Sequence, residues 1–393
     1  MSGQDPLFRT SRPRRYGRGA ALTLVFASVL AAGAATGSWP GDGRKSPEEH
    51  GSSVTAAHEE PLEDATRAAR EAMSDGKSQK ESAQAAEEAV SRSGDRWGAV
   101  YSRGEYEDFE QALDGTYTGV GLRARRTADG AVEVSKVRTG SPAQLAGIRE
   151  GDRIAAVDGR SVTGRPVTEV LTLLRGEHAG TPVRLGLQRG TRVWSETLRR
   201  ANLSTDSVTV THLPSGPVLI KVSAFTKGVG AQVRRAVREA PARAGVVLDL
   251  RGNSGGLVTE AVTAASGFLD SGLVATYDVR GAQRALHAER GGDTSRPVVV
   301  LVDSGTMSAA ELLTGALQDR GRAVVVGTRT FGKGSVQMPS RLPDGSVAEL
   351  TVGHYRTPSG RSVDGRGITP DLEADAGALQ RAETVLSGLG DPS

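Results

Sequence analysis

After Leu203, short runs of Val, Leu and Ile alternate with stretches of helical periodicity. Residues 218–222, 245–250, 298–302 and 323–326 are continuous apolar runs of strand length, and 229–240 and 258–269 repeat with the helical period. Apolar strands separated by helices predict a mainly parallel sheet covered on both faces. Sheets of that kind place their sites at the carboxyl ends of the strands. Between residues 118 and 200 the pattern changes to short alternating strands with one or two helices. Val132-Glu133-Val134 and Val183-Arg184-Leu185-Gly186-Leu187 alternate, 167–174 is an amphipathic helix, and 151–159 is a strand running into a tight turn. Residues 61–117 read as helices, notably 62–72 and 82–90. Their polar character calls for packing against the rest of the chain or against a second copy in a homodimer.

The pattern therefore divides the chain into 1–40, a linker over 41–60, a helical region 61–117, a β/α domain 118–200, an α/β core 201–375 and a tail 376–393. The linker is rich in Gly, Ser, Pro and charge and has no apolar period. In the first segment Arg9, Arg12, Arg14, Arg15 and Arg18 precede an apolar run from Gly19 to Ala35. That order marks a signal peptide or a membrane anchor, with everything after Trp39 outside the cytoplasm or secreted. The run is short for a span, and its small residues also suit cleavage, so both outcomes stay open.

Composition narrows the chemistry. The net charge is +3 with basic and acidic residues spread along the chain, and only 4% of residues are aromatic, so no nucleic-acid partner is expected. Cysteine is absent, which removes disulfides, thiolate metal sites and a cysteine nucleophile. No His-Glu-x-x-His or comparable cluster calls for a metal or other cofactor.

Three segments following predicted strands carry candidate chemistry. Leu248-Asp249-Leu250-Arg251-Gly252-Asn253-Ser254-Gly255-Gly256 breaks a strand into a glycine-rich turn, whose backbone N–H groups can form an oxyanion hole. A phosphate loop would need a Gly-Lys-Ser/Thr that is missing. In Val302-Asp303-Ser304-Gly305-Thr306-Met307-Ser308-Ala309-Ala310-Glu311, Ser308 falls at the start of a helix, where it serves equally as a nucleophile or as a simple cap. In Thr330-Phe331-Gly332-Lys333-Gly334-Ser335-Val336-Gln337, one of only 7 lysines, against 42 arginines, sits between glycines. A desolvated lysine can lose its proton near neutrality and act as a general base, which arginine cannot. The rival reading is a solvated loop lysine. A Ser-His-Asp triad has only His354 to draw on, and that residue is expected on a strand as a packed or surface side chain.

Together these segments resemble the carboxy-terminal processing peptidases, or tail-specific proteases, from about Trp97 to Asp371. Family members carry a Ser-Ala-Ser-Ala-Ser-Glu-like stretch whose serine three positions before the glutamate is the nucleophile, and a later Gly-Lys-Gly-x-x-x-Gln. The resemblance implies Ser308 as nucleophile, Lys333 as base, Gln337 as its hydrogen-bonding partner, and an oxyanion hole at Gly256 and Ala309. Segment 118–200 resembles a PDZ domain through Thr118-Gly119-Val120-Gly121-Leu122, Ser141-Pro142-Ala143-Gln144-Leu145-Ala146-Gly147-Ile148 and Gly151-Asp152-Arg153-Ile154. It implies that Gly119, Val120, Gly121 and Leu122 hold a peptide carboxylate. Asp303, Thr306, Met307 and Ala310 depart from the usual nucleophile segment. The expectation is an α/β multidomain serine endopeptidase acting on exposed protein tails, with no cofactor. The alternative is an inactive PDZ scaffold.

Overall fold

The computed structural model describes residues 52–390 apart from 177, 280 and 281. The basic and apolar segment expected over 1–40, and the linker up to residue 51, lie outside the described residues. From Ser52 the chain is already helical, so helix Ser52–Ser74 takes in the end of the expected linker. Lack of an apolar stripe did not prevent this, because Ala and Glu favour helix by intrinsic propensity. Among the described residues no helix is long and apolar enough to cross a membrane.

Contacts separate two units, one built from residues 118–201 and one holding the other described residues. In the first, antiparallel strands Leu122–Arg126, Val132–Val137, Arg153–Val157, Pro182–Arg189 and Arg192–Arg199 form a sheet in that order. Alternation along Pro182–Arg189 sends Val183, Leu185 and Leu187 into a core with Val134, Val157, Val170 and Leu174. Helix Val167–Leu174 supplies the last two. The tight turn is Asp158-Gly159, both with positive φ (48° and 77°), the backbone of a primed hairpin turn. Asp152 is fully buried and held by Arg189 at 2.5 and 2.8 Å.

In the second unit a six-stranded sheet starts with the antiparallel pair Val208–His212 and Val218–Val222 and continues in parallel through Val246–Asp249, Val298–Val302, Val324–Gly327 and Leu372–Glu373. The apolar runs serve both faces by alternation. Val246, Leu248, Val298, Val300 and Val302 pack with helices Val229–Glu239, Val258–Ala265 and Ala309–Asp319. Val247, Val299, Leu301 and Val326 pack under helix Ala378–Gly390.

A second sheet was not assigned from sequence. Strands Ala99–Tyr101, Val347–Arg356, Leu273–Val279 and Ala282–His287 pair antiparallel, and Ser335–Arg341 pairs with Val347–Arg356. Val347–Arg356 is buried on both sides, which hides its strand alternation. Ala348 and Leu350 meet Ala65, Ala69, Ala86 and Val90 of helices Ser52–Ser74 and Gln79–Arg92, while Val352 and Tyr355 face the main core. The polar N-terminal helices thus pack on this sheet through alanines.

Candidate active site

The parallel strands end in register. Asp249 pairs with Leu301, and Val302 with Gly327, so the turns that follow all emerge at one edge. Two hydrogen bonds knit the first two turns: Met307 N–H donates to Asn253 O at 2.9 Å, and Gly252 N–H to the Asp303 side-chain Oδ1 at 2.9 Å. The Asp303 carboxylate also accepts from Gly305 N–H at 2.9 Å. Thr306 is buried, and its hydroxyl donates to Leu250 O at 3.0 Å. The departures at 303 and 306 therefore brace the turn.

Ser308 is the residue before helix Ala309–Asp319, and its backbone sits at φ 54°, ψ −117°. Few non-glycine residues adopt such a conformation, and it persists only where surroundings impose it. Gly255 is one of those surroundings: a Cβ there would lie 2.9 Å from Ser308 Cβ. The serine is completely buried, yet its Oγ has no hydrogen-bond partner. Ser308 and Glu311 have the placement of a capping box, but the Oγ completes no hydrogen bond to the Glu311 N–H, which leaves the hydroxyl available.

Lys333 is 1% exposed and follows Phe331-Gly332. Burial pushes its ammonium down to about 8, against the opposing pull of the Glu349 and Asp95 carboxylates. Its Nζ lies 4.8 Å from the centroid of the Trp97 ring. Gln337 is on strand Ser335–Arg341 and fully buried. Its Nε2 donates to Ser335 Oγ at 3.0 Å, and its Oε1 is unpartnered.

Glu311 joins the serine and lysine segments. Its buried carboxylate accepts from Ser308 N–H at 2.9 Å, Lys333 N–H at 2.8 Å, Gly332 N–H at 2.7 Å and the Thr330 hydroxyl. Burial raises its pKa even against these donors. Tyr355 repeats the bridge from the second sheet: its hydroxyl lies 3.1 Å from Ser308 O and 3.2 Å from Lys333 O. Phe331 N–H adds a bond to Thr306 O at 3.1 Å. Sequence reasoning quoted Glu311 without giving it a task, although serine followed three positions later by glutamate is a local signal. Tyr355 and Trp97 carried no such signal, since their contacts are made across the fold.

Gly256 follows Gly255, the glycine that abuts Ser308, and Ala309 follows Ser308 in sequence. Gly256 has φ 129° and bridges Phe225 in parallel. Ala309 opens the helix, where N–H groups lack intrahelical acceptors. His354 is on strand Val347–Arg356 with an exposed side chain 3.9 Å from Asp364. A groove of about 270 Å³ between Val208–His212 and Val229–Glu239 shares no residue with this cluster.

In the 118–201 unit, Val120 is buried and its carbonyl accepts from Ala143 N–H at 3.0 Å. Gly121, at φ 83°, accepts from Arg138 N–H at 2.9 Å, and Leu122 begins the first strand of the sheet. Gly119 immediately precedes this turn.

Residues 218–374 match the model of peptidase family S41, and 133–189 that of the PDZ domain. The chain is 31% identical over 286 residues to the carboxy-terminal processing protease CtpA of Bacillus subtilis (strain 168), covering 72% of this chain and 61% of that one. It is 32% identical over 302 residues to a probable CtpA-like serine protease of Staphylococcus aureus (strain bovine RF122 / ET3-1), covering 74% and 59%. It thus spans about three fifths of the length of these relatives. A solved structure, the photosystem II D1 C-terminal processing protease, is similar with TM-score 0.50 and 27% identity, covering 85% of this chain and 97% of that one. Residues 218–374, which form most of the parallel sheet and the strand-end turns around Ser308 and Lys333, thus carry the match to peptidase family S41, with the PDZ match preceding them in sequence.

Proposed function

We propose that this chain is a serine endopeptidase cutting extracytoplasmic proteins near their carboxy termini, with Ser308 as nucleophile and Lys333 as general base. The observation that carries the reading is the pairing through Glu311: one carboxylate fixes the backbone of a strained serine with an unemployed hydroxyl and of a buried lysine with depressed proton affinity. Perturbed, buried groups brought together at strand ends suit catalysis.

Uncharged Nζ takes the Ser308 Oγ proton as Oγ bonds to the scissile carbonyl carbon. The oxyanion is met by the N–H groups of Gly256 and Ala309. The C–N bond breaks as Nζ returns its proton to the leaving amine, leaving an ester on Oγ. Water, deprotonated by the same amine, attacks the ester carbonyl, and the acyl product departs as Oγ regains a proton. Gln337 Oε1 is the acceptor that orients Nζ. The loop Gly119, Val120, Gly121 and Leu122 holds the substrate's terminal carboxylate.

Degradation of an unstructured protein with an apolar tail tests this. Ser308→Ala and Lys333→Ala are each expected to lower the rate by more than about 1,000-fold. If both variants degrade the substrate as the parent does, the dyad is wrong; if none of the three degrades it, a non-catalytic PDZ scaffold is the better reading.

A further inference from the structure

We propose that Trp97 and Glu349 form a holding pocket that keeps Lys333 away from Ser308, making Glu349 a positioning residue for the base. The inference rests on the reading of Ser308 and Lys333 as nucleophile and base. It starts from two orphaned atoms. Ser308 Oγ and Gln337 Oε1, the groups a lysine between them would bond, are both buried without partners. Leaving such atoms unmet is costly, which points to a competing attraction that holds the amine elsewhere.

The structure supplies that attraction. Nζ stands over the Trp97 indole at 4.8 Å, within cation–π range. Trp97 packs at 5.7 Å against Phe331, two residues before Lys333. Its backbone is pinned by Asp95, whose Oδ1 accepts from Trp97 N–H and Gly98 N–H at 3.0 Å. The same carboxylate takes Thr351 N–H at 2.7 Å, which ties the indole to the strand carrying Glu349.

Glu349 is the second half of the pocket. It is 1% exposed, its Oε1 has no partner, and its Oε2 is met only by the Tyr101 hydroxyl at 3.5 Å. A carboxylate so poorly served is costly to keep charged unless a cation faces it. Lys333 is the main influence favouring its charge, while burial pushes its pKa up to about 7. The other ionisable groups around the pair are Asp95, Tyr101, Tyr106 with Arg341, and Glu311 behind the backbone. Asp95 is occupied by four donors, so Glu349 is the carboxylate with an oxygen to spare.

Both holds act on the cation and not on the free amine. Negative Glu349 raises the proton affinity of Lys333 and, with the indole, keeps the charged form docked. Loss of the proton weakens both attractions together and frees Nζ to reach Oγ. The pocket therefore suppresses activity most between about pH 7 and 8, where Glu349 is charged and Lys333 is still protonated.

The test uses the full chain, with Glu349→Gln, which keeps shape and removes charge, and Trp97→Leu, which removes the ring. Two rates are followed from pH 6 to 9: cleavage of an unstructured peptide, and phosphonylation of Ser308 by a fluorophosphonate, in which Oγ displaces fluoride from phosphorus and no tail recognition is required. Glu349→Gln is expected to move the rising limb down, with the largest gain, up to about tenfold, between about pH 7 and 8, where Glu349 is charged and Lys333 still protonated, and with no loss at the plateau. Trp97→Leu is expected to raise the rate about 3-fold or more near neutrality. Folded variants, checked by thermal melting, whose profiles superimpose on the parent's overturn the pocket. Should Glu349→Gln not fold, Trp97→Leu decides by the same readouts. Residual phosphonylation in Ser308→Ala would sink the dyad itself, whereas an inert Ser308→Ala beside unshifted pocket variants leaves the dyad standing and removes only the pocket.

Discussion

At Glu311 a single carboxylate orders the backbone of both Ser308 and Lys333, so its loss should register in stability and in rate. Glu311→Gln replaces one acceptor oxygen by a donor facing N–H groups in a buried site. We expect a loss of about 2 kcal/mol by denaturant titration. Displacement of the dyad should lower kcat about 10- to 100-fold with little change in KM. As the proposed base, Lys333 would set the pH dependence. Its proton affinity is lowered to about 8, and the working form is the neutral amine, so the active fraction grows as pH passes upward through that value. Cleavage should rise from about pH 7 to a plateau near pH 9, and a rate that falls over that range without unfolding would exclude a lysine base. Lys333 itself was conspicuous in the sequence because a glycine-flanked lysine stands out in a chain that prefers arginine. Glu349, Asp95 and Tyr355 were not, because each acquires its meaning from a contact with residues far away in the chain.

Among the elements, the strand-end turns hold the tightest geometry. At Gly256, φ is 129° and an added Cβ would lie 2.4 Å from Phe225 O, so Gly256→Ala must open the bridge between these residues. We expect a loss of about 2–3 kcal/mol and a large fall in kcat. Gly252 makes a matched comparison in the same turn: φ is 68° and nothing lies within 4 Å of an added Cβ. Gly252→Ala should cost only about 1 kcal/mol. Equal effects at both positions would show that backbone conformation, and not the close approach to Phe225, dominates. The parallel strands were legible because continuous Val and Leu runs have few other uses in a soluble domain. Val298–Val302 falls where its pattern puts it. The second sheet was not legible. Val347–Arg356 mixes Glu349, Thr351, Gly353 and His354 with apolar residues, and burial from both sides erased the alternation that would have marked it. The close approach at Gly353, where a Cβ would lie 1.4 Å from Asp278 O, is equally a matter of packing and not of local pattern.

For the molecule as a whole, the sheet that carries Ser308 is only as stable as the cover on its other face. Residues after 375 read as a tail, yet 378–390 form a helix. Its Ala378, Ala382 and Leu386 close a core with Val247, Val299, Leu301 and Val326, the strand neighbours of residues that pack under the helices on the opposite face. The sequence hid this because the stripe is made mostly of alanine and lies among Gly, Ser and charged residues. Leu386 is 4% exposed and its methyl groups approach within 3.0–3.2 Å of where a Gly245 Cβ would stand, directly before strand Val246–Asp249. Leu386→Ala should therefore open a cavity under that strand and cost about 2–4 kcal/mol. Leu389, on the same helix but 53% exposed, gives the control: Leu389→Ala should stay within about 0.5 kcal/mol. Because the loss falls behind the sheet and not at the turns, folded Leu386→Ala should keep the parent's pH profile while melting earlier. A shifted profile would mean instead that the helix reaches the dyad through the strands it covers.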